Sequence, residues 1–193
     1  FATFDNHKQG DFAPYVFRSD NRGRTWTDIS GDLPERDIAY AIRQDHEDED
    51  LLFVGTEFGA YFTIDGGEHW IRMSGVPTIA VKDLEIQRRE NDVVLGTFGR
   101  GFYVFDDYTP LREVDEDVME DNATLFGVKD ADLYVQWSRL GSNNGRGSQG
   151  SSYYTADNPP FGAVFTYHLG EKIQTLEEAR KKAESEAIKE GED

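Results

Sequence analysis

Two stretches of this chain follow one eight-residue grammar, and that grammar constrains its fold more than any other feature. Ser19-Asp20-Asn21-Arg22-Gly23-Arg24-Thr25-Trp26 and Thr63-Ile64-Asp65-Gly66-Gly67-Glu68-His69-Trp70 both read hydroxyl, any residue, Asp or Asn, any, Gly, any, any, Trp. Gly23 and Gly67 can take a positive φ and let the chain reverse tightly between strands. Asn21 and Asp65 can accept hydrogen bonds from backbone N–H groups just ahead and hold that reversal. Ser19 and Thr63 end the preceding strand with a hydroxyl suited to the same task. Trp26 and Trp70 then begin the next strand, and both are expected to be buried between neighbouring sheets. Asp65 reads as a turn former. A calcium loop would need more oxygen ligands than the segment offers.

The repeat extends beyond the turn. Trp26 and Trp70 lie 44 residues apart, about the length of one four-stranded β-propeller blade. Leu52–Phe62 and Val93–Phe105 each run from apolar residues through Gly-Thr and a glycine turn into a second aromatic run. That is a hairpin pattern with buried strands on both sides. Phe1–Phe4 and Tyr15–Arg18 read as the same hairpin, widened by residues 5–14. The third copy departs, because Asp106-Asp107-Tyr108-Thr109-Pro110 stands where the Gly-Trp turn belongs. The pattern predicts one partial blade, one full blade and one closing blade with a decayed turn, as terminal repeats of an array commonly show.

These turns resemble the Asp-box, or bacterial neuraminidase repeat. Leu52–Gly59 and Gly96–Asp107 resemble the last blades of large exported bacterial propeller proteins related to sortilin, a group often labelled glycosyl hydrolase-like. Asn158–Tyr167 is similar, more faintly, to the strand that leads into an Ig-like module after such a propeller. The resemblance implies an all-β chain: two to three four-stranded blades in residues 1–112, a linker in 113–157, and the start of a β-rich Ig-like module with a short solvated helix in 158–193. It also implies a secreted or periplasmic protein. It does not imply an activity, since Asp-box turns occur in sialidases, glucanases, peptide receptors and photosystem assembly factors alike.

A propeller needs at least about four blades to close. The chain is therefore expected to be a fragment whose partners include the remaining blades of a parent protein. Its net charge of −18, from 38 acidic and 20 basic residues, argues against nucleic acid and anionic membranes, because phosphate binding needs clustered Lys and Arg. There is no Cys, which excludes disulfides and thiolate metal sites. No apolar run is long enough to span a bilayer.

Beyond the blades, Asp115–Asn122 predicts a short acidic helix, and Leu133–Trp137 and Gly162–Leu169 predict strands. Gly141–Ser152 is rich in Gly, Ser and Asn but lacks the lysine and glycine spacing of a P-loop. Thr175 with Glu178 forms a capping-box pattern, and Glu177/Lys181 and Glu178/Lys182 stand at ion-pair spacing. These predict a solvated helix ending near Gly191.

Propellers bind ligands near the ends of their inner strands. The candidates there are Asp5 and His7 in the widened first hairpin, Glu57, glycine-flanked Arg100, and Asp106. Asp5 with Glu57 or Asp106 would supply the carboxyl pair that a glycosidase requires. His7 with Asp5 and Asp11 falls short of a metal pattern. No metal or cofactor is expected, and no catalytic residue is assigned. The expected function is a binding or scaffold propeller for polysaccharide or peptide. The alternative is a sialidase- or xyloglucanase-like glycoside hydrolase with its catalytic residues mostly outside this chain.

Overall fold

In the computed structural model, which describes residues 1–131, 133, 161–171 and 173–191, residues 2–105 fold into three antiparallel sheets in chain order. The first holds β1 (Ala2–Phe4), β2 (Tyr15–Arg18) and β3 (Thr27–Asp28). The second is a four-stranded meander of β4 (Ala39–Gln44), β5 (Leu52–Thr56), β6 (Ala60–Thr63) and β7 (Ile71–Arg72). The third holds β8 (Val81–Gln87), β9 (Asp92–Thr97) and β10 (Phe102–Phe105). Only the second of these sheets has four strands, and it is the one read from sequence as complete. The described sheets close no barrel and no ring.

The strand patterns follow from how the sheets pack. Successive side chains on a strand point to opposite faces. Leu52 and Val54 of β5 accordingly join a core with Val16, Ile29, Leu33 and Trp70, at the junction with the first sheet. Phe53, between them, joins Val81, Leu84, Val93 and Leu95 at the junction with the third. The second sheet is thus covered on both faces, which is why β5 reads as a continuous apolar run with every residue buried. Strand β4 lies against both β1 and β8, and β5 also against β8.

The two eight-residue turns close with the same bonds. The Gly67 amide donates to Thr63 Oγ1 at 3.1 Å and the His69 amide to Asp65 Oδ1 at 3.0 Å. In the first copy the Gly23 amide donates to Ser19 Oγ at 2.7 Å and the Thr25 amide to Asn21 Oδ1 at 2.9 Å. Gly67 and Gly23 have φ of 106° and 81°, a region a side chain would strain. The tryptophans differ. Trp70 is 7% exposed, but Trp26 is 47% exposed. The expectation that both are buried fails for Trp26, because no described sheet lies against it as the first sheet lies against Trp70.

The third copy's departure is not a loss of structure. Tyr108 is fully buried and its ring meets Phe53 edge-on, 5.0 Å between centroids. A phenol fills the junction in this copy. The 3-10 turn Thr109–Glu113 that follows carries Arg112 back onto the β4–β5 turn.

Further on, α1 (Glu116–Glu120) is capped by Asp115, which accepts from the Val118 amide. Strand β11 (Ala123–Leu125) pairs antiparallel with β12 (Tyr167–Leu169). The predicted strand from Gly162 is therefore limited to its last three residues, since Gly162–Thr166 are not strand. The predicted strand Leu133–Trp137 and the loop Gly141–Ser152 lie outside the described residues, apart from Leu133. Helix α2 (Leu176–Glu190) has the expected capping box and ends on a left-handed Gly191. Lys181 pairs with Glu177 at 2.7 Å. Glu178 does not pair with Lys182, because its carboxylate turns back to the Thr175 amide at 3.0 Å. Among the described residues, no helix is long and apolar enough to cross a membrane.

Candidate functional site

Strands β4 and β8 each carry one irregularity, at the same place. Ala39 pairs with Thr56 and Ala41 with Gly55, leaving Tyr40 as an extra residue. Val81 pairs with Thr97 and Asp83 with Gly96, leaving Lys82 as an extra residue. A bulge of this kind re-aims a side chain. Here the two re-aimed side chains meet: Lys82 Nζ sits 3.3 Å from the centroid of the Tyr40 ring.

They meet in a cleft of about 620 Å³ lined by Asp5, His7, Phe12, Arg36, Ile38, Tyr40, Glu57, Phe58 and Lys82. Every one of the three sheets contributes. The loop after β1 supplies Asp5, His7 and Phe12. The lead-in and start of β4 supply Arg36, Ile38 and Tyr40. The β5–β6 turn supplies Glu57 and Phe58, and β8 supplies Lys82.

The supports are polar. Thr3 Oγ1 donates to the Tyr40 carbonyl at 3.0 Å, tying β1 to β4. Buried Asp37 accepts from the Phe58 amide and from the Tyr61 hydroxyl, each at 3.0 Å. Burial, together with the Asp37 charge, pushes the Tyr61 phenol up to about 12. The Glu57 amide donates to the Ile38 carbonyl at 2.9 Å. These bonds fix the β5–β6 turn, and with it the directions of Glu57 and Phe58.

Within the cleft the charges are largely matched. The Tyr40 hydroxyl donates to the Glu57 carboxylate, and burial followed by that bond raises the Tyr40 phenol well above its ordinary value. Lys82 Nζ lies 3.6 Å from Glu57 Oε2. Asp5 accepts from the His7 amide at 2.9 Å and lies 2.6 Å from His7 Nδ1. The amide bond first, then the ring contact, holds the Asp5 carboxyl below the usual carboxylate range. The Arg36 guanidinium stands 5.4 Å over the Phe12 ring. Phe12 and Phe58 are both substantially exposed.

Three of the five candidate residues, Asp5, His7 and Glu57, therefore line one cleft. Arg100 and Asp106 do not. Arg100 is exposed in the β9–β10 turn. Asp106 follows β10, where burial and the neighbouring Asp92 charge push its carboxyl up. Tyr40 and Lys82 were not legible from the sequence, since a bulge inside a six- or seven-residue strand leaves no mark in its composition, and Phe12, Arg36 and Phe58 stand on loops whose meeting depends on how the sheets pack.

A second cleft, of about 690 Å³, lies between the two repeated turns and includes Arg18, Asp28, Asp50, Asp65 and His69. Among the described residues, Asp65, Glu68 and His69 are the group whose ligand atoms, all within 4.8 Å of one another, could hold a cation. Both Asp65 oxygens already accept bonds, Oδ1 from the Thr63 hydroxyl and the Glu68 and His69 amides, Oδ2 from His69. Burial raises its carboxyl, but these bonds outweigh that and bring it down to about 2. Asp65 is accounted for as a turn former.

The chain matches no protein-family model, and a search of curated proteins finds no sequence relative.

Proposed function

We propose that the three sheets are successive blades of an Asp-box β-propeller from an exported, secreted or periplasmic protein, and that the cleft seats a peptide. The matching bonds of the two turns and the equivalent bulges of β4 and β8 support the repeat. The observation that carries the binding reading is the meeting of Phe12, Tyr40 and Phe58 with Asp5, Glu57, Arg36 and Lys82 in one cleft. A few placed polar groups among aromatic walls are what a binding site needs.

Peptide is favoured over polysaccharide by the state of the rings. Sugar stacking uses open aromatic faces, and two of the three rings here already carry a cation of the chain itself, Lys82 on Tyr40 and Arg36 on Phe12. The net charge of −18 also favours a basic partner, because the field of the whole chain steers encounter.

The hydrolase alternative gains from Asp5 and Glu57 sharing the cleft. It loses because both carboxylates are already engaged, Asp5 by the His7 amide and ring and Glu57 by the Tyr40 hydroxyl and Lys82, and because Asp106 lies elsewhere. An array of blocked peptides and neutral glycans, probed with the full chain, tests the reading. Peptides should bind, and Phe58→Ala should abolish that binding while leaving thermal unfolding intact. Glycan binding without peptide binding would overturn it, and sugar release would favour the hydrolase.

A further inference from the structure

We propose that the peptide engages this cleft through a cation, a lysine or arginine side chain or an amino terminus, which takes the seat on Tyr40 and Glu57 that Lys82 fills in the free protein. The inference rests on the reading of the cleft as a peptide seat and names the group that the seat selects.

An ammonium is recognised by an aromatic face on one side and a carboxylate on the other. Tyr40 and Glu57 make that pair. The Tyr40 ring lines the cleft beneath the Lys82 ammonium, and its hydroxyl donates to Glu57, so ring and carboxylate are held as a unit. The main chain beneath each is tied down, at Tyr40 by the Thr3 bond to its carbonyl and at Glu57 by its amide bond to Ile38, and the Tyr40–Glu57 bond joins the two side chains.

The occupant is held differently. The ammonium of Lys82, 3.3 Å from the ring centroid and 3.6 Å from Glu57 Oε2, makes no hydrogen bond among the described residues beyond that ion pair. Its side chain remains 44% exposed on a flexible four-carbon stem. A fixed seat with a loosely tethered occupant is arranged for exchange. The acidic surface of the chain raises the local concentration of a basic peptide that competes for it.

This predicts a sign that an ordinary contact residue would not give: removing Lys82 strengthens binding. The probes are a fluorescein-labelled, blocked hexapeptide with one Phe-Lys pair and the same peptide with its lysine Nε-acetylated, each titrated into the full chain by fluorescence polarisation. Acetylation should weaken binding about tenfold, because the ammonium–ring and ammonium–carboxylate contacts are lost. Lys82→Met should tighten the lysine peptide about fivefold by removing the competitor and leave the acetylated one unchanged. Glu57→Gln should weaken the lysine peptide about tenfold. Thermal unfolding monitors each variant, and Lys82→Gln repeats the test if Lys82→Met lowers the transition.

Unchanged or weakened binding in both Lys82 variants overturns the inference. Equal binding of the two peptides to every variant also overturns it, while the peptide seat itself stands. If neither peptide binds wild type or either Lys82 variant, the peptide reading falls and this inference falls with it.

Discussion

The indole of Trp70 donates its Nε1–H to the main-chain carbonyl of Ile29 at 3.0 Å, across the junction between the first two sheets. The Trp70 amide donates to Asp32 Oδ1 at 2.6 Å in the same place. One residue thus closes the second turn, leads into β7, fills the core beside Leu33 and Val54, and bonds to the preceding sheet. Trp26 occupies the same position in the first copy and does none of the last two.

Trp70→Ala should therefore cost about 3–5 kcal/mol, as removal of a buried indole does. Trp70→Phe keeps most of the packing but leaves the Ile29 carbonyl unpaired, at about 1–3 kcal/mol. Trp26→Ala should stay under about 1 kcal/mol, the range of a surface change. Urea unfolding of the three variants checks the order. Equal losses for the two alanine variants would mean that the sheets do not pack as described.

The same asymmetry separates two glycines. Gly55 and Gly96 open the two Gly-Thr turns and look interchangeable in sequence. A Cβ on Gly55 would lie 2.8 Å from both Cγ1 and the carbonyl oxygen of Val81, in the third sheet. On Gly96 the nearest atom would be 3.5 Å away, an ordinary contact. Gly55→Ala should cost about 1–3 kcal/mol by forcing the sheets apart. Gly96→Ala should be neutral or stabilising by about 0.5 kcal/mol, since alanine suits a strand better than glycine does. Denaturant midpoints of the two variants decide. A shared sign would remove the close β5–β8 contact from the account of the fold.

What was legible in the sequence was local. The hydroxyl, the Asp or Asn and the glycine of each turn bond within four residues of one another, so their spacing alone specifies the corner. The hairpins and the capping box of α2 were readable for the same reason. The burial of Trp26 was not, because it depends on which sheet lies beside it. Tyr108 drew no role from the sequence, because the repeat calls for a tryptophan, yet its phenol plugs that junction. In the cleft, Asp5, His7 and Glu57 were readable as polar groups on turns. Arg100 sits on a turn of the same kind as Glu57 but in the third sheet, away from the cleft. Tyr40 and Lys82 depend on two bulges, which arise from sheet register and not from residue type.

Acid should expose the other clasp between the sheets. Arg112 grips Asp45 with two bonds, Nε to Oδ2 and Nη2 to Oδ1, each 2.8 Å, and the Tyr108 hydroxyl donates to the same carboxylate at 2.5 Å. The Asp45 side chain is 0% exposed and that of Arg112 12%. Burial raises the Asp45 carboxyl, but the bonds from Arg112, Tyr108 and the Asp48 and Glu47 amides outweigh it and leave the group well below the usual carboxylate range. A folded pKa below the unfolded one means that the unfolded chain binds the proton first. The contribution of Asp45 is therefore complete above about pH 4 and is lost as pH falls from there toward its folded value. Arg112→Leu removes the strongest of those bonds and leaves the buried carboxylate to the Tyr108 hydroxyl, the Glu47 and Asp48 amides and His46 Nδ1 at 3.3 Å, at about 3 kcal/mol near neutral pH. Loss of the Arg112 bonds moves the carboxyl up from its wild-type position, so protonation in acid relieves the variant sooner. The stability gap between wild type and Arg112→Leu, measured by urea unfolding, should be widest at pH 6–7 and shrink below about pH 4. A gap that stays constant across this range would mean that Arg112 acts through packing of its stem and not through the Asp45 charge.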